Sequence, residues 1–318
     1  VRYKMSPAIS VSSSTPSSIS WLTGYIPDLP TPFDEADRID LPAFTRLCER
    51  QIANGASAVV VCETGGEAST LSPAEQGTLI RAAAATARGR ARIIAGAGSN
   101  STEHAIELTR LAEVAGADAI LTVVPYYNRP MQSGIFAHFQ AISVSTGLPV
   151  ILHDIPSRTM RELADETIAR LCRSNRFIGL RDGSGDIARP MRLRALVPQG
   201  FRILSGDDAT ALACIAAGAD GCISAVSNVA PDLCRTIFSN LQQGRMQTAR
   251  LLSKRLSTLE ACVARQHPAA VKYALSLLGL MDPAVRLPIV ELDDAAKAEV
   301  ARAVSGMADE DLAVAIQA

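Results

Sequence analysis

"AGADAIL", residues 115–121, joins what reads as the end of a helix to the start of a strand. A helical run stops at Gly116, which can take the left-handed conformation that closes helices. Ala119, Ile120 and Leu121 then open an apolar run. The same joint recurs as "NGASAVV" at 54–60 and "AGADGCI" at 217–223. Three copies of one helix–glycine–strand joint imply a chain that repeats a βα unit.

Working outward, strands are expected at 22–28, 57–63, 92–98, 119–124, 149–154, 177–182, 201–206 and 221–226. Helical periodicity fills the intervals 40–53, 73–88, 102–115, 132–145, 163–173, 187–196, 208–217 and 230–243. Several of these begin as helices do, with "LSPAEQ", "STEHA" or "DDAT". Eight such units close an α/β (β/α)8 TIM barrel. An open doubly wound sheet would want G-x-G-x-x-G after its first strand. "AGAGSN" at 95–100 lacks that spacing and follows the third strand. Helices at 246–263, 269–279 and 293–315 complete the chain. The expected organisation is a flexible arm over 1–21, a barrel over 22–245 and a C-terminal helical module over 246–318.

The 318 residues are 48% hydrophobic and 20% charged, with a formal net charge of -1. With 4% aromatics and no basic run, nothing supports a nucleic-acid partner. No apolar run reaches membrane-spanning length. The first residues lack the apolar core of a signal peptide. Seven cysteines form no C-x-x-C and sit mostly in apolar surroundings, which suits a reducing, cytoplasmic setting. Cys62, near a strand end, is the one candidate thiol nucleophile.

Active sites of such barrels gather at the C-terminal strand ends. Those ends deliver Thr31, "ETGGE" at 63–67, "PYYNRP" at 125–130, His153 and Asp154, Arg158, Arg181 and Asp182, Ser205 to Asp208, and Ser224. Thr64, Gly65 and Gly66 offer either a tight turn or a cradle of N–H groups for a carboxylate. Tyr127 reads as a rim aromatic or an intersubunit residue. His153 is either a core histidine or an acid/base. No ligand spacing supports a metal, and no cofactor is expected.

The ordered motifs "PTPFDE" (30–35), "ETGGEASTLS" (63–72), "TVVPYYNRP" (122–130), "ILHDIPSRT" (151–159), "FIGLRDGSG" (177–185) and "HPAAVKYALSLLGL" (267–280) resemble the dihydrodipicolinate synthase / N-acetylneuraminate lyase family. The resemblance runs from about 22 to 305. It implies a class I aldolase, a homo-oligomer (dimer or tetramer), and a lysine on strand six that forms a Schiff base with pyruvate or another 2-oxo acid. Residue by residue, the lysine position holds Arg181 and the proton-shuttling tyrosine of strand five is His153. The Thr-Thr pair becomes Thr64 and Gly65. The intersubunit tyrosine is Tyr127, the substrate-binding arginine is Arg158, and Ile223 matches a hydrophobic residue near pyruvate. Asn100 and Tyr126 match the family's lysine-feedback pocket, where His104 replaces an acid.

A guanidinium cannot lose its proton to attack a carbonyl. The four lysines, at 4, 254, 272 and 297, lie in the arm and the helical module. The expectation is therefore a divergent member that lacks the Schiff-base lysine and its aldolase turnover. It would bind a small carboxylate or 2-oxo acid through Thr64, Gly65, Gly66, Arg158, Arg181 and Ile223. The alternative is a lyase, dehydratase or hydrolase with His153 as acid/base and Arg181 as electrostatic stabiliser. Asp182 is left open, one reading being the partner that holds the Arg181 guanidinium.

Overall fold

The computed structural model describes residues 19–307. A short 3₁₀ turn at Ile19–Trp21 enters the first strand. The strands are β1 Gly24–Pro27, β2 Ala58–Val61, β3 Arg92–Gly96, β4 Ala119–Val123, β5 Val150–Asp154, β6 Phe177–Asp182, β7 Arg202–Ser205 and β8 Gly221–Ser224. All pair in parallel in the order β1-β8-β7-β6-β5-β4-β3-β2. The remaining seam, between β1 and β2, is joined by a bridge between Asp28 and Val60 and by the Leu29 N–H on the Val60 carbonyl at 2.9 Å. A TIM barrel results, as the repeated joint implies.

Helices α1 Leu41–Ala53, α2 Pro73–Ala87, α3 Thr102–Ala115 and α4 Gln132–Ser143 follow the first four strands. Side chains fix their starts: Asp40 caps α1, Ser72 and Glu75 form a reciprocal capping box on α2, and Ser101 caps α3. Gly116 closes α3 at φ 96°, and Gly218 takes φ 101° in the matching joint before β8. The three joints thus read correctly as helix-to-strand turns.

The second half departs from the expected plan in two places. "PSRT" forms its own one-turn helix, α5 Pro156–Thr159, ahead of α6 Asp165–Leu171. After α7 Arg189–Arg194, α8 Asp208–Ala216 and α9 Pro231–Gln242, the single helix expected over 246–263 is two: α10 Met246–Lys254 and α11 Ser257–Gln266. Arg255 and Leu256 donate to carbonyls three residues back, a 3₁₀ step that ends α10 while keeping Leu252, Leu256 and Leu259 buried. α12 Ala269–Leu277 and α13 Asp294–Gly306 follow. The expected reach of the last helix to 315 and most of the expected arm lie outside the described residues.

Alternation along the strands divides two apolar regions. Ile26, Val60, Ile94, Leu121, Ile151 and Ile223 fill the barrel. A larger cluster packs the strands against the surrounding helices, and a third joins α9–α13 to α1.

One buried cation ties β5, β6, α6 and α7 together. Arg189 is fully buried; its Nη1 meets Asp154 at 2.7 Å and Asp182 at 2.9 Å, and its Nε meets Asp165 at 2.9 Å. Arg189→Leu strands Asp154 and Asp182 as unpaired buried charges, so it should destabilise the fold by about 3–5 kcal/mol. A urea midpoint close to wild type would contradict this role.

Candidate active site

At the C-terminal end of the barrel the inward-facing layer becomes charged. Asp28 continues the inward alternation of β1 beyond Ile26, and Glu63 follows β2. His153 and Arg181 are register partners on β5 and β6. Arg181 Nη1 sits 3.1 Å from both Asp28 Oδ2 and Glu63 Oε2. His153 Nδ1 lies 2.9 Å from Glu63 Oε1. All four side chains are buried.

Arg181 therefore points into a pair of carboxylates of its own chain. Asp182 is not its partner: successive strand residues face opposite sides, and Asp182 turns outward to Arg189. Two N–H groups of the "ETGG" turn, those of Thr64 and Gly65, are also engaged internally. Thr64 N–H donates to the Glu63 carboxylate and Gly65 N–H to Asp28 Oδ2 at 3.3 Å. Gly66 accepts from the Thr31 hydroxyl at 2.7 Å. A β-carbon at 65 would lie 3.0 Å from both the Asp28 carboxyl carbon and the Asp28 carbonyl oxygen, a tight approach that a larger residue would relieve only by a small shift.

Burial pushes Asp28 up to about 6 against the pull of Arg181. Burial opposes ionisation of Glu63 too, but His153, Arg181 and the Thr64 N–H bring it well below the ordinary range. His153 is lowered by burial, partly offset by Glu63. Arg181 and the Thr64 N–H favour the carboxylate form of Glu63, and burial disfavours the imidazolium form of His153. Among the described residues, His153 Nε2, Asp28 Oδ1 and Arg181 Nε have no hydrogen-bond partner.

Above this floor opens a cavity of about 520 Å³, with Glu63, Thr64, Tyr126, Arg158 and His267 among its lining residues. Arg158, on α5, is exposed there and forms no ion pair among the described residues. Ile223 is in the barrel interior beneath. Tyr127 is not in the cavity; it stands 91% exposed beside Tyr126, with left-handed φ of 68°. Asn128 donates to the Asn100 carbonyl at 2.8 Å, and His104 pairs with Glu107 at 3.1 Å. Cys62 is buried and its thiol pushed up by burial, out of the range of a reactive thiolate. Among the described residues no group of three His, Cys, Asp or Glu is placed to hold a metal.

The sequence reading missed Asp28, and it treated Glu63 as one strand-end acid among several. It also passed over His267, whose buried Nδ1 has no partner. Lys272, set aside in the sequence as a lysine of the helical module, also stands near the cavity. Its ammonium pairs with Glu67, donates to the Ala284 carbonyl at 2.7 Å and stands 4.1 Å from the Phe33 ring centroid. Burial pulls this lysine down to about 8 against the opposing pull of Glu67. Glu67 itself lines the cavity, so the amine stands one side chain behind its wall.

Asp28 supplies a pH test. Its carboxyl titrates near 6 in the folded protein and near 4 in an unfolded chain. Between those values the folded state holds a proton that the unfolded chain has released. Its contribution to stability is full below about pH 4 and is lost as the pH rises through about 6. Asp28→Asn should therefore gain stability relative to wild type between about pH 4.5 and 7. Urea midpoints that move the other way would contradict the assignment.

The dihydrodipicolinate synthetase family model matches residues 21–307. A 4-hydroxy-tetrahydrodipicolinate synthase of Hyphomonas neptunium is 45% identical over 289 residues, spanning 89% of this chain and 98% of the relative. The solved 4-hydroxy-tetrahydrodipicolinate synthase of Methylacidiphilum fumariolicum SolV superposes with a TM-score of 0.88 at 37% identity, covering 93% of this chain and 98% of that one. A dihydrodipicolinate synthase from Acinetobacter baumannii, solved with pyruvate, gives 0.87 at 35% identity, covering 90% and 99%. Similarity of this extent to named synthases corrects the expectation of a divergent outlier whose lysine-dependent aldolase chemistry is lost. It supports retention of that chemistry instead. The two readings built on the loss, a carboxylate-binding protein without turnover and a divergent lyase, dehydratase or hydrolase, fall with it. Arg181, engaged by Asp28 and Glu63, shows how the barrel floor is built and does not settle which amine is used. The chain belongs to the dihydrodipicolinate synthetase family.

Proposed function

We propose that the chain is a lysine-dependent aldolase of 2-oxo acids, condensing pyruvate with an aldehyde that carries a carboxylate. The observation that supports this most is its 45% identity to a 4-hydroxy-tetrahydrodipicolinate synthase over 98% of that protein. The cavity above Glu63 and Thr64 is of a size for such acids, and Arg158 is the guanidinium free to meet a carboxylate there.

The reaction needs a neutral amine to condense with the keto group, releasing water. Loss of a C3 proton from the imine then gives an enamine whose carbon attacks the aldehyde. Of the described lysines, Lys272 is the one whose burial favours the neutral form, and it is our candidate for the amine. Release of Lys272 from Glu67 would leave that carboxylate at the cavity wall. His153 takes the proton-relay role, and Thr64 lines the cavity.

We further infer that the chain works as a homo-oligomer in a reducing cytoplasm. Tyr127 and Met131 are 91% and 72% exposed on one loop, which favours burial against a second copy. All seven cysteines are free and buried. Among the described residues no helix is long and apolar enough to cross a membrane.

Proton exchange tests the reaction without knowledge of the aldehyde. In heavy water the protein should replace the methyl protons of pyruvate by deuterium well above the buffer rate, read by proton NMR. Lys272→Gln should lose this exchange, whereas Arg158→Met should keep it and raise KM for the aldehyde. Exchange no faster than buffer would overturn the proposal.

A further inference from the structure

Glu63 is held from three sides. One carboxylate oxygen, Oε2, accepts from Arg181 Nη1 at 3.1 Å and from the Thr64 N–H. The other, Oε1, lies 2.9 Å from His153 Nδ1. Both donors on Oε2 are fixed: Arg181 is clamped at 3.1 Å by Asp28, and the Thr64 N–H belongs to the backbone of the turn. Oε1 has no such donor other than the imidazole.

An ionised carboxylate only accepts hydrogen bonds. The nitrogen facing it must therefore carry the proton, and the neutral ring must carry its lone pair on the far nitrogen. That nitrogen, His153 Nε2, is buried and has no partner among the described residues. A buried polar atom left unpaired costs free energy, and such an atom calls for an explanation. The charged groups around the ring are Glu63 from the β2 end, Arg181 from β6 and Arg158 from α5, with Asp28 of the β1 end behind Arg181.

We propose that Glu63 is a positioning residue that fixes His153 as the Nδ1–H tautomer and so presents the Nε2 lone pair as a proton acceptor. Arg181 and Asp28 serve the same end by holding the Glu63 carboxylate in register. Use of that lone pair in turnover depends on His153 being the proton relay of the proposed reaction; the tautomer itself does not.

Glu63→Gln offers a sharp discrimination. Arg181 and the Thr64 N–H both require an acceptor, so the glutamine oxygen must take the Oε2 place. Its NH₂ then faces His153 Nδ1 as a donor, and the ring proton must move to Nε2. One substitution that removes no atom of bulk thus reverses the tautomer.

The measurement is ¹⁵N NMR of the full chain labelled at its four histidines, with His153 assigned from single substitutions of the other three. In the wild type near neutral pH, His153 should show a protonated Nδ1 and an unprotonated Nε2, and in Glu63→Gln the reverse. Pyruvate methyl exchange should fall about a hundredfold in kcat with KM little changed. A wild-type His153 carrying its proton on Nε2, or protonated on both nitrogens, would overturn the proposal without need of any variant. An unchanged tautomer in a folded Glu63→Gln would do the same. A reversed tautomer with undiminished exchange would support Glu63 as the orienting group and remove His153 from the reaction.

Discussion

The barrel mouth depends on one buried guanidinium. Arg181 reaches from β6 across the barrel to Asp28 and Glu63, which stand on either side of the β1–β2 seam. That seam is where the strand ladder is thinnest, with Asp28 itself forming the bridge to Val60. Two carboxylates at this depth would repel each other and be poorly solvated; a single planar cation with several donors satisfies both. Such a cluster is weak evidence of extra stability, because apolar replacements of the same volume often match buried ion pairs. Its consequence is geometric. It sets the Glu63 carboxylate, and through it the His153 ring, in one orientation.

The second guanidinium, Arg189, does the same outside the barrel for Asp154, Asp182 and Asp165. Together the two arginines divide the acids of β5 and β6 and their neighbours between the inner and outer faces. Strand alternation decides the division, since Arg181 and Asp182 must face opposite ways. The C-terminal module joins this framework at Phe33, whose ring is met by the Lys272 ammonium at 4.1 Å and the Arg286 guanidinium at 4.3 Å from the centroid. Arg286 also donates its backbone N–H to Glu67 at 2.9 Å. The loop that lines the cavity is therefore held from the helical module as well as from the barrel.

The fold was legible because its signals are local. Gly116 and Gly218 end helices at positive φ, and the apolar runs that follow them can only be buried strands. The break between α10 and α11 was not legible, since no glycine or proline marks it and burial of Leu256 governs it. At the site, residue identities were readable but pairings were not. Arg181 and Glu63 are 118 positions apart, and nothing in the order of residues says that they meet. The glycine at 65 looked like a lost threonine; next to Asp28 it keeps a β-carbon out of a 3.0 Å approach. Arg181 misled for a related reason. Considered alone it suggested a lost reaction, whereas in place it is one member of a four-residue charge cluster.

Retention of the family's imine chemistry, with Arg181 bound into the barrel wall, has a direct chemical test. Borohydride reduction in the presence of pyruvate, followed by intact-mass measurement and peptide mapping, tests it most directly. One pyruvate-derived adduct per chain, located on Lys272, is the expected result. A chain that binds pyruvate yet gains no adduct on any lysine would contradict it.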